Sequence, residues 1–399
     1  MNDALKAPFP WFGGKAKVAA IVWDRFGPVR NYVEPFAGSL AVLLGNPCPE
    51  ALAGETANDL NGWLCNAWRG IAFDPDGTAE AADWPVSELD LHARGDALFY
   101  PETHAAGLRL YEAHGGLPGF IAKLRADPLF HDAQIAGWWL WGLSSWIGDN
   151  WGRVAHNAKK VDGIAVGVVG ARPHLSRFGT GVHRQNLARK LPHLGDYGKG
   201  VNRQNLERKR PHLSSGTGVN RQQLDRQRPC LGDYGKGVNR GTAARTCDER
   251  REMLLGYFGA LADRLRRTRV CCGEWGRVTG PCVTGAASPC GVFLDPPYHG
   301  QGETRDNVYG AEETDCWAAV CDWCRENGPN RDLRIALCGY EGGWQPPPGW
   351  SEVPWKTGGG YGNQAEANGN RHRERIWFSP GCVTRQPGLF DTTETGDGQ

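Results

Sequence analysis

Val292-Phe293-Leu294-Asp295-Pro296-Pro297-Tyr298 is an apolar run that ends on an acid, two prolines and an aromatic ring. Apolar residues stopped by a proline pair predict a buried strand that ends abruptly, because proline has no N–H for a ladder and restricts the residue before it. The four residues from Asp295 then stand at that strand's carboxyl end, where open α/β sheets place ligands and chemistry. The Asp295 carboxylate and the Pro296 carbonyl are two neighbouring acceptors, which suit an amino group with two hydrogens to donate. Holding both hydrogens can turn the nitrogen lone pair out of conjugation with its ring and toward an electrophile, while Tyr298 offers that ring a flat face. The plainer reading is a strand followed by a proline-rich turn with a turn-forming Asp, and four-residue matches do arise by chance.

Two N-terminal segments weigh against the plainer reading. Pro10-Trp11-Phe12-Gly13-Gly14-Lys15 precedes Asn31-Tyr32-Val33-Glu34-Pro35-Phe36-Ala37-Gly38-Ser39, a strand running into a small-residue turn that lets a ligand approach the backbone. Ala57-Asn58-Asp59-Leu60-Asn61 follows and places an acid 21 residues beyond Gly38. Rossmann-like units put a ribose-binding acid at about that offset.

With these segments and the Asp-Pro-Pro-Tyr tetrad in this order, the chain resembles the DNA N6-adenine methyltransferases of the Dam type, at both its ends but not in its middle. The resemblance implies S-adenosylmethionine as cofactor, with Trp11 and Lys15 beside it, Glu34, Phe36 and Gly38 around its methionine part, and Asp59 on its ribose hydroxyls. It makes Asp295, Pro296, Pro297 and Tyr298 the catalytic face. Glu274 and Trp275, at the end of a later strand, are implied neighbours of the cofactor's adenine or of the target base. The sequence departs from the pattern where Leu40 and Ala41 follow Gly38-Ser39, since many relatives have a second glycine there.

Composition is that of a soluble protein of roughly two to three domains, with 40% hydrophobic residues to build a core. No secretory signal pattern opens the chain, and the longest apolar stretch, residues 135–147, is broken by Gly and Ser and falls short of a roughly 20-residue span. A cytoplasmic protein without a membrane partner is expected. The 13 cysteines include Cys321-Asp322-Trp323-Cys324, but no second pair follows at zinc-finger spacing. Cys316, Trp317, Val320, Cys321 and Cys324 fit one apolar helix face, so core packing rather than a metal is expected. Pro281-Cys282 and Pro289-Cys290 raise cytosine C5 chemistry, which needs a thiolate, but neither stands in the Pro-Pro-Cys-Gln context of such enzymes. An exocyclic amine needs no protein nucleophile.

The net charge of +1 conceals a strongly uneven distribution. Residues 172–240 hold 15 Lys or Arg against 4 Asp or Glu, a balance of +11, so the rest of the chain sums to −10. The basic block is a repeat: Gly181-Val182-His183-Arg184-Gln185-Asn186-Leu187 returns at Gly200-Val201-Asn202-Arg203-Gln204-Asn205-Leu206, at Gly218-Val219-Asn220-Arg221-Gln222-Gln223-Leu224, and begins again at Gly237-Val238-Asn239-Arg240. The starts are 19, 18 and 19 residues apart, and each unit has too few apolar residues for a core of its own. The block reads either as an arm contacting DNA phosphates, with Arg184, Arg203 and Arg221 as the recurring cations, or as a duplicated insertion whose charge is merely solvated.

The chain is expected to divide into a first catalytic part (1–72), a helical DNA-recognition insertion (73–165), the basic repeat (166–245), a second catalytic part (246–386) and a disordered tail (387–399). Asn61 should open a helix through Trp63, Leu64 and Trp68. Residues 248–267 have amphipathic spacing, and 269–272, 334–338 and 375–378 read as strands. Ser144-Ser145-Trp146-Ile147-Gly148-Asp149-Asn150-Trp151-Gly152-Arg153 is similar to the stretch from which Dam-type enzymes touch DNA, which makes Asn150 and Arg153 candidate contacts. A loop capping a Trp-rich core is the equal alternative. Residues 358–362 are expected to be a mobile glycine-rich loop.

The fold expected is α/β: a class I S-adenosylmethionine-dependent methyltransferase (Rossmann-like) sheet with a helical DNA-recognition insertion and a basic repeat insertion. The activity expected is methyl transfer to adenine N6 in double-stranded DNA by a monomer, with the target base flipped out. N4-cytosine methylation, or a DNA-binding protein with a vestigial cofactor fold, are the alternatives.

Overall fold

The computed structural model describes residues 5–11, 15–145, 158–161, 164–168, 247–297, 314–355 and 373–383. The chain begins with α1 (Ala19–Phe26), β1 (Asn31–Glu34), α2 (Ala41–Leu44), β2 (Gly54–Asp59) and α3 (Gly62–Phe73). The helices α4 (Pro75–Ala82), α5 (Glu88–Phe99), α6 (Ala105–Glu112), α7 (Gly116–Ala126) and α8 (Ala133–Ser145) follow, then the short strands β3 (Ala158–Val161) and β4 (Ile164–Val168). After the basic block come α9 (Cys247–Leu265), β5 (Thr268–Cys272), α10 (Pro281–Thr284), β6 (Cys290–Leu294), α11 (Thr314–Asn327), β7 (Leu333–Tyr340), β8 (Ser351–Pro354) and β9 (Glu374–Phe378).

Seven strands form one mixed sheet in the order β5-β2-β1-β6-β7-β9-β8. The first five are parallel, and β9 runs antiparallel to both β7 and β8. This is an α/β, mostly parallel sheet compatible with a Rossmann-like fold, because the chain winds outward from β1 to β2 and β5 and then returns to β6 on the other side of β1. Strand residues alternate between two layers of core. Val33, Val292, Leu294, Ile335 and Leu337 pack with Val320, Cys321 and Cys324 of α11, whereas Tyr32, Phe293, Ala336 and Cys338 face the larger core that takes in α1, α3, α8 and α9.

Local chemistry sets the helix starts. Asn61 accepts from the Leu64 N–H at 3.1 Å and opens α3; Asp132 does the same for Ile135 at 2.8 Å and opens α8. In α9, Leu254, Phe258, Leu261 and Leu265 are buried, with Met253 and Tyr257 packed beside them, on the face the spacing predicts. Arg69, 1% exposed, fastens the helices to the sheet: it donates to the carbonyls of Val270 in β5 and of Leu124, Asp127 and Phe130 around the end of α7.

Two elements differ from the sequence expectation. The mainly helical reading of 73–165 holds as far as Ser145, but β3 and β4 form a two-stranded antiparallel sheet across the expected boundary at 165. β8 was not foreseen either; it is an edge strand in which Ser351 and Val353 are half-buried while Glu352 and Pro354 are exposed, so no apolar run marks it. Among the described residues, no helix is long and apolar enough to cross a membrane.

Candidate functional site

β1 and β6 lie side by side and parallel, with Val33 opposite Val292, at the point where the strand order reverses. β1 releases the chain into residues 35–39 and β6 releases it into residues 295–297, both at their carboxyl ends. That crevice is where open α/β sheets bind ligands.

On the β1 side, Gly38 sits at φ +46° in the left-handed region, and its amide donates to Asp59 Oδ2 at 3.0 Å. Its carbonyl accepts from Trp68 Nε1 at 2.9 Å. A Cβ at this position would stand 2.7 Å from the indole nitrogen of Trp11, so the turn fits glycine alone. Leu40 supplies a second left-handed residue at φ +51° although it is leucine; its fully buried side chain packs into the core and holds the backbone there. The departure noted in the sequence therefore leaves the turn intact. Asp59 also accepts from the Asn61 amide at 2.9 Å, and burial raises its pKa against these backbone bonds. With about four lone-pair sites, the carboxylate keeps acceptor capacity for a further donor. Asn58 braces the same turn by donating to the carbonyls of Pro35 at 3.1 Å and Gly273 at 2.9 Å.

On the β6 side, Lys15 is 6% exposed and its ammonium lies 2.9 Å from Asp295 Oδ2. The ammonium also stands over the Trp355 ring, 5.3 Å from its centre. Burial works against the charged lysine, but Asp295 and Glu374 among its neighbours outweigh burial and hold the pKa above its usual value. Glu374, at the start of β9, is 7% exposed, and its Oε2 is buried with no hydrogen bond among the described residues. Burial pushes its pKa up to about 7; Lys15 pulls it down and Asp295 pushes it further up. Pro296 is buried and Pro297 half-buried beside the pair.

Glu34 is 2% exposed and turned into the protein, where Tyr32 donates to its Oε2 at 2.9 Å. Burial raises its pKa to about 8 despite that bond. Phe36 stacks on Trp275 with ring centres 6.3 Å apart and planes 26° apart, while Glu274 is exposed. The structure thus brings Trp11, Gly38 and Asp59 together, joins Lys15 to Asp295, and pairs Phe36 with Trp275. Tyr298, Asn150, Arg153, Arg184, Arg203 and Arg221 lie outside the described residues, as do Gly13, Gly14, residues 358–362 and the tail.

Glu374, Trp355, Asn58 and Trp68 were not picked out as site residues in the sequence. Asn58 carried a signal, being the neighbour of Asp59, and Trp68 lies two turns into the helix that Asn61 opens. Glu374, between Arg373 and Arg375, reads as one more charge on a surface strand.

No family model matches the chain, and no curated protein matches it.

Proposed function

We propose that this chain is a site-specific DNA methyltransferase that moves a methyl group from S-adenosylmethionine to adenine N6 in duplex DNA, on a class I methyltransferase sheet. The observation that carries the reading is the Lys15–Asp295 pair at the carboxyl end of β6, beside the Gly38 turn on the adjacent strand.

The residues at the β1 turn fit the cofactor. Gly38 lets a ligand approach the backbone, Asp59 has acceptor capacity for ribose hydroxyls, and Trp11 and Phe36 give apolar faces at the turn. When bound, S-adenosylmethionine supplies a methyl group on a sulfonium. Asp295 and the Pro296 carbonyl would accept the two amine hydrogens of a flipped base and aim its lone pair. Lys15 holds the Asp295 carboxylate in place. The carboxylate then stabilises positive charge on the amine nitrogen as the new bond forms.

Cytosine C5 chemistry is disfavoured at Cys290, which is fully buried in β6 with its thiol pushed up to about 12 by burial. The test is transfer of labelled methyl from S-adenosylmethionine to unmethylated duplex DNA, followed by nucleoside analysis. N6-methyladenine is expected; N4-methylcytosine would move the reading to the other amine. Salt-sensitive DNA binding with no incorporation would replace it with a binding protein on a vestigial cofactor fold.

A further inference from the structure

We propose that Trp355 is a positioning residue for methyl transfer: the face of its indole ring holds the Lys15 ammonium against Asp295 and so fixes the carboxylate that receives the amine. This rests on the functional reading above. Trp355 directly follows the edge strand β8, which pairs with β9 through Pro354 opposite Arg375. One step further along that ladder, the Trp355 amide donates to the Glu374 carbonyl at 3.2 Å. Glu374 lies opposite Tyr340, the last residue of β7, and β7 runs parallel to β6. The antiparallel corner of the sheet therefore reaches the end at which β6 releases Asp295. There Trp355 is 7% exposed and packs into the larger core, and Lys15 Nζ lies 5.3 Å from the centre of its ring and 2.9 Å from Asp295 Oδ2.

The ring is placed for its face and not for its edge. Its indole N–H is buried and makes no hydrogen bond among the described residues, although a buried tryptophan usually finds one, so that N–H does not set the ring's position. Lys15 is 6% exposed, so its ammonium has given up most of its water, and the attraction of a cation to an aromatic face is strongest when the cation is desolvated. A lysine carries a compact charge on a flexible four-carbon stem, and the groups around that charge decide where it rests. The ring attracts the charge as a whole and leaves the direction of the N–H groups to acceptors such as Asp295 Oδ2. Once the ammonium drifts from the ring, the partner of Asp295 drifts with it, and a misplacement of about 1 Å at a reacting centre can cost about 100-fold in rate. The cofactor turn on β1 is held by Asn58, Asp59 and Trp68 instead, so the loss falls on kcat and not on cofactor binding.

The experiment measures methyl transfer by the full chain in wild type, Trp355→Phe and Trp355→Leu, and in proteins carrying mono-, di- and trifluorotryptophan at position 355 alone. Fluorine withdraws electrons from the ring face while nearly keeping its shape, so the series weakens the hold on a cation without opening the core. Expected are a kcat about ten-fold lower in Trp355→Leu, partial recovery in Trp355→Phe, a log kcat that falls steadily along the fluorine series, and a cofactor KM within about two-fold of wild type throughout. A kcat indifferent to fluorination overturns the proposal even if Trp355→Leu fails to fold, because packing alone does not respond to the charge on the ring face. In parallel, the methylene protons beside the Lys15 ammonium are observed in protein labelled with 13C-lysine and assigned by their absence from Lys15→Arg. The ring current should shift them upfield in wild type, and Trp355→Leu should return them to the ordinary lysine position; an ordinary position in wild type refutes the contact. Should the wild type transfer no methyl group, the functional reading fails and takes the role in transfer with it, while the lysine signal still decides whether the ring holds Lys15.

Discussion

In the proposed function, Asp295 meets Lys15 in the protein and an amine in the substrate. Asp295→Ala removes the acceptor and leaves the Lys15 ammonium buried without that partner. Methyl transfer should fall by about 10³-fold or more, while cofactor affinity, which depends on the β1 turn, changes only a few-fold. Calorimetric cofactor binding beside the transfer assay checks this, and near-normal turnover would remove Asp295 from the chemistry. Glu34 makes a separate prediction about stability. Its carboxyl rises from 4.5 to about 8 on folding, so between those values the folded protein keeps a proton that the unfolded chain releases. Its contribution is therefore complete below about pH 4.5 and is lost as pH rises toward 8, a change on the order of 3 to 5 kcal/mol. Glu34→Gln, which can still accept from Tyr32, should flatten that decline in denaturant melts at acid and alkaline pH; a variant with the wild-type slope would show that Glu34 stays ionised. Lys15, Gly38, Asp59 and Asp295 were legible in the sequence because each lies in a short segment whose chemistry is local. Trp355 was not, because only the register of an antiparallel strand pair brings it to Lys15.

At the scale of elements, the helices α4 to α8 interrupt the sheet in sequence between β2 and β5, yet those strands pair directly, Ala57 opposite Val270. Arg69 makes the interruption tolerable by spending one buried guanidinium on four carbonyls from α7, its following loop and β5. Arg69→Met keeps the aliphatic bulk but leaves those carbonyls short of a donor, and unsatisfied buried acceptors cost about 1 to 3 kcal/mol each before water or relaxation offsets the loss. A net destabilisation of about 3 kcal/mol, read from denaturant midpoints at unchanged m-value, is expected. A loss within about 0.5 kcal/mol would mean that water replaces the guanidinium. Such a tie is invisible in sequence, where Arg69 sits between Trp68 and Gly70 like any surface arginine on a helix. The helices themselves were legible, since Asn61 and the Leu254, Phe258, Leu261 series are local signals. β8 was not, because an edge strand with two exposed positions has no apolar period to read.

For the molecule as a whole, positive charge is concentrated in one block of the sequence. The chain outside residues 172–240 sums to −10, whereas the repeat sums to +11. If the proposed DNA substrate is held through this block, its phosphates are attracted by the repeat, and the sheet is left to supply the cofactor site and the amine acceptors. Arg184, Arg203 and Arg221 occupy the same position in three successive units, so they offer a graded test. Replacing all three with Gln removes three positive charges without shortening the chain. If each neutralises one phosphate, the slope of log affinity against log salt should lose about 0.9 per contact, or roughly 3 in all. Affinity at low salt should fall, while binding at high salt, where released counterions contribute little, should change less. Fluorescence anisotropy on one duplex across a salt series measures both quantities. An unchanged slope would assign the charge to solvation and send the search for DNA contacts to the Asn150 and Arg153 stretch. A slope reduced on every duplex sequence alike would identify the repeat as a phosphate-binding arm, with base reading left to another part of the chain.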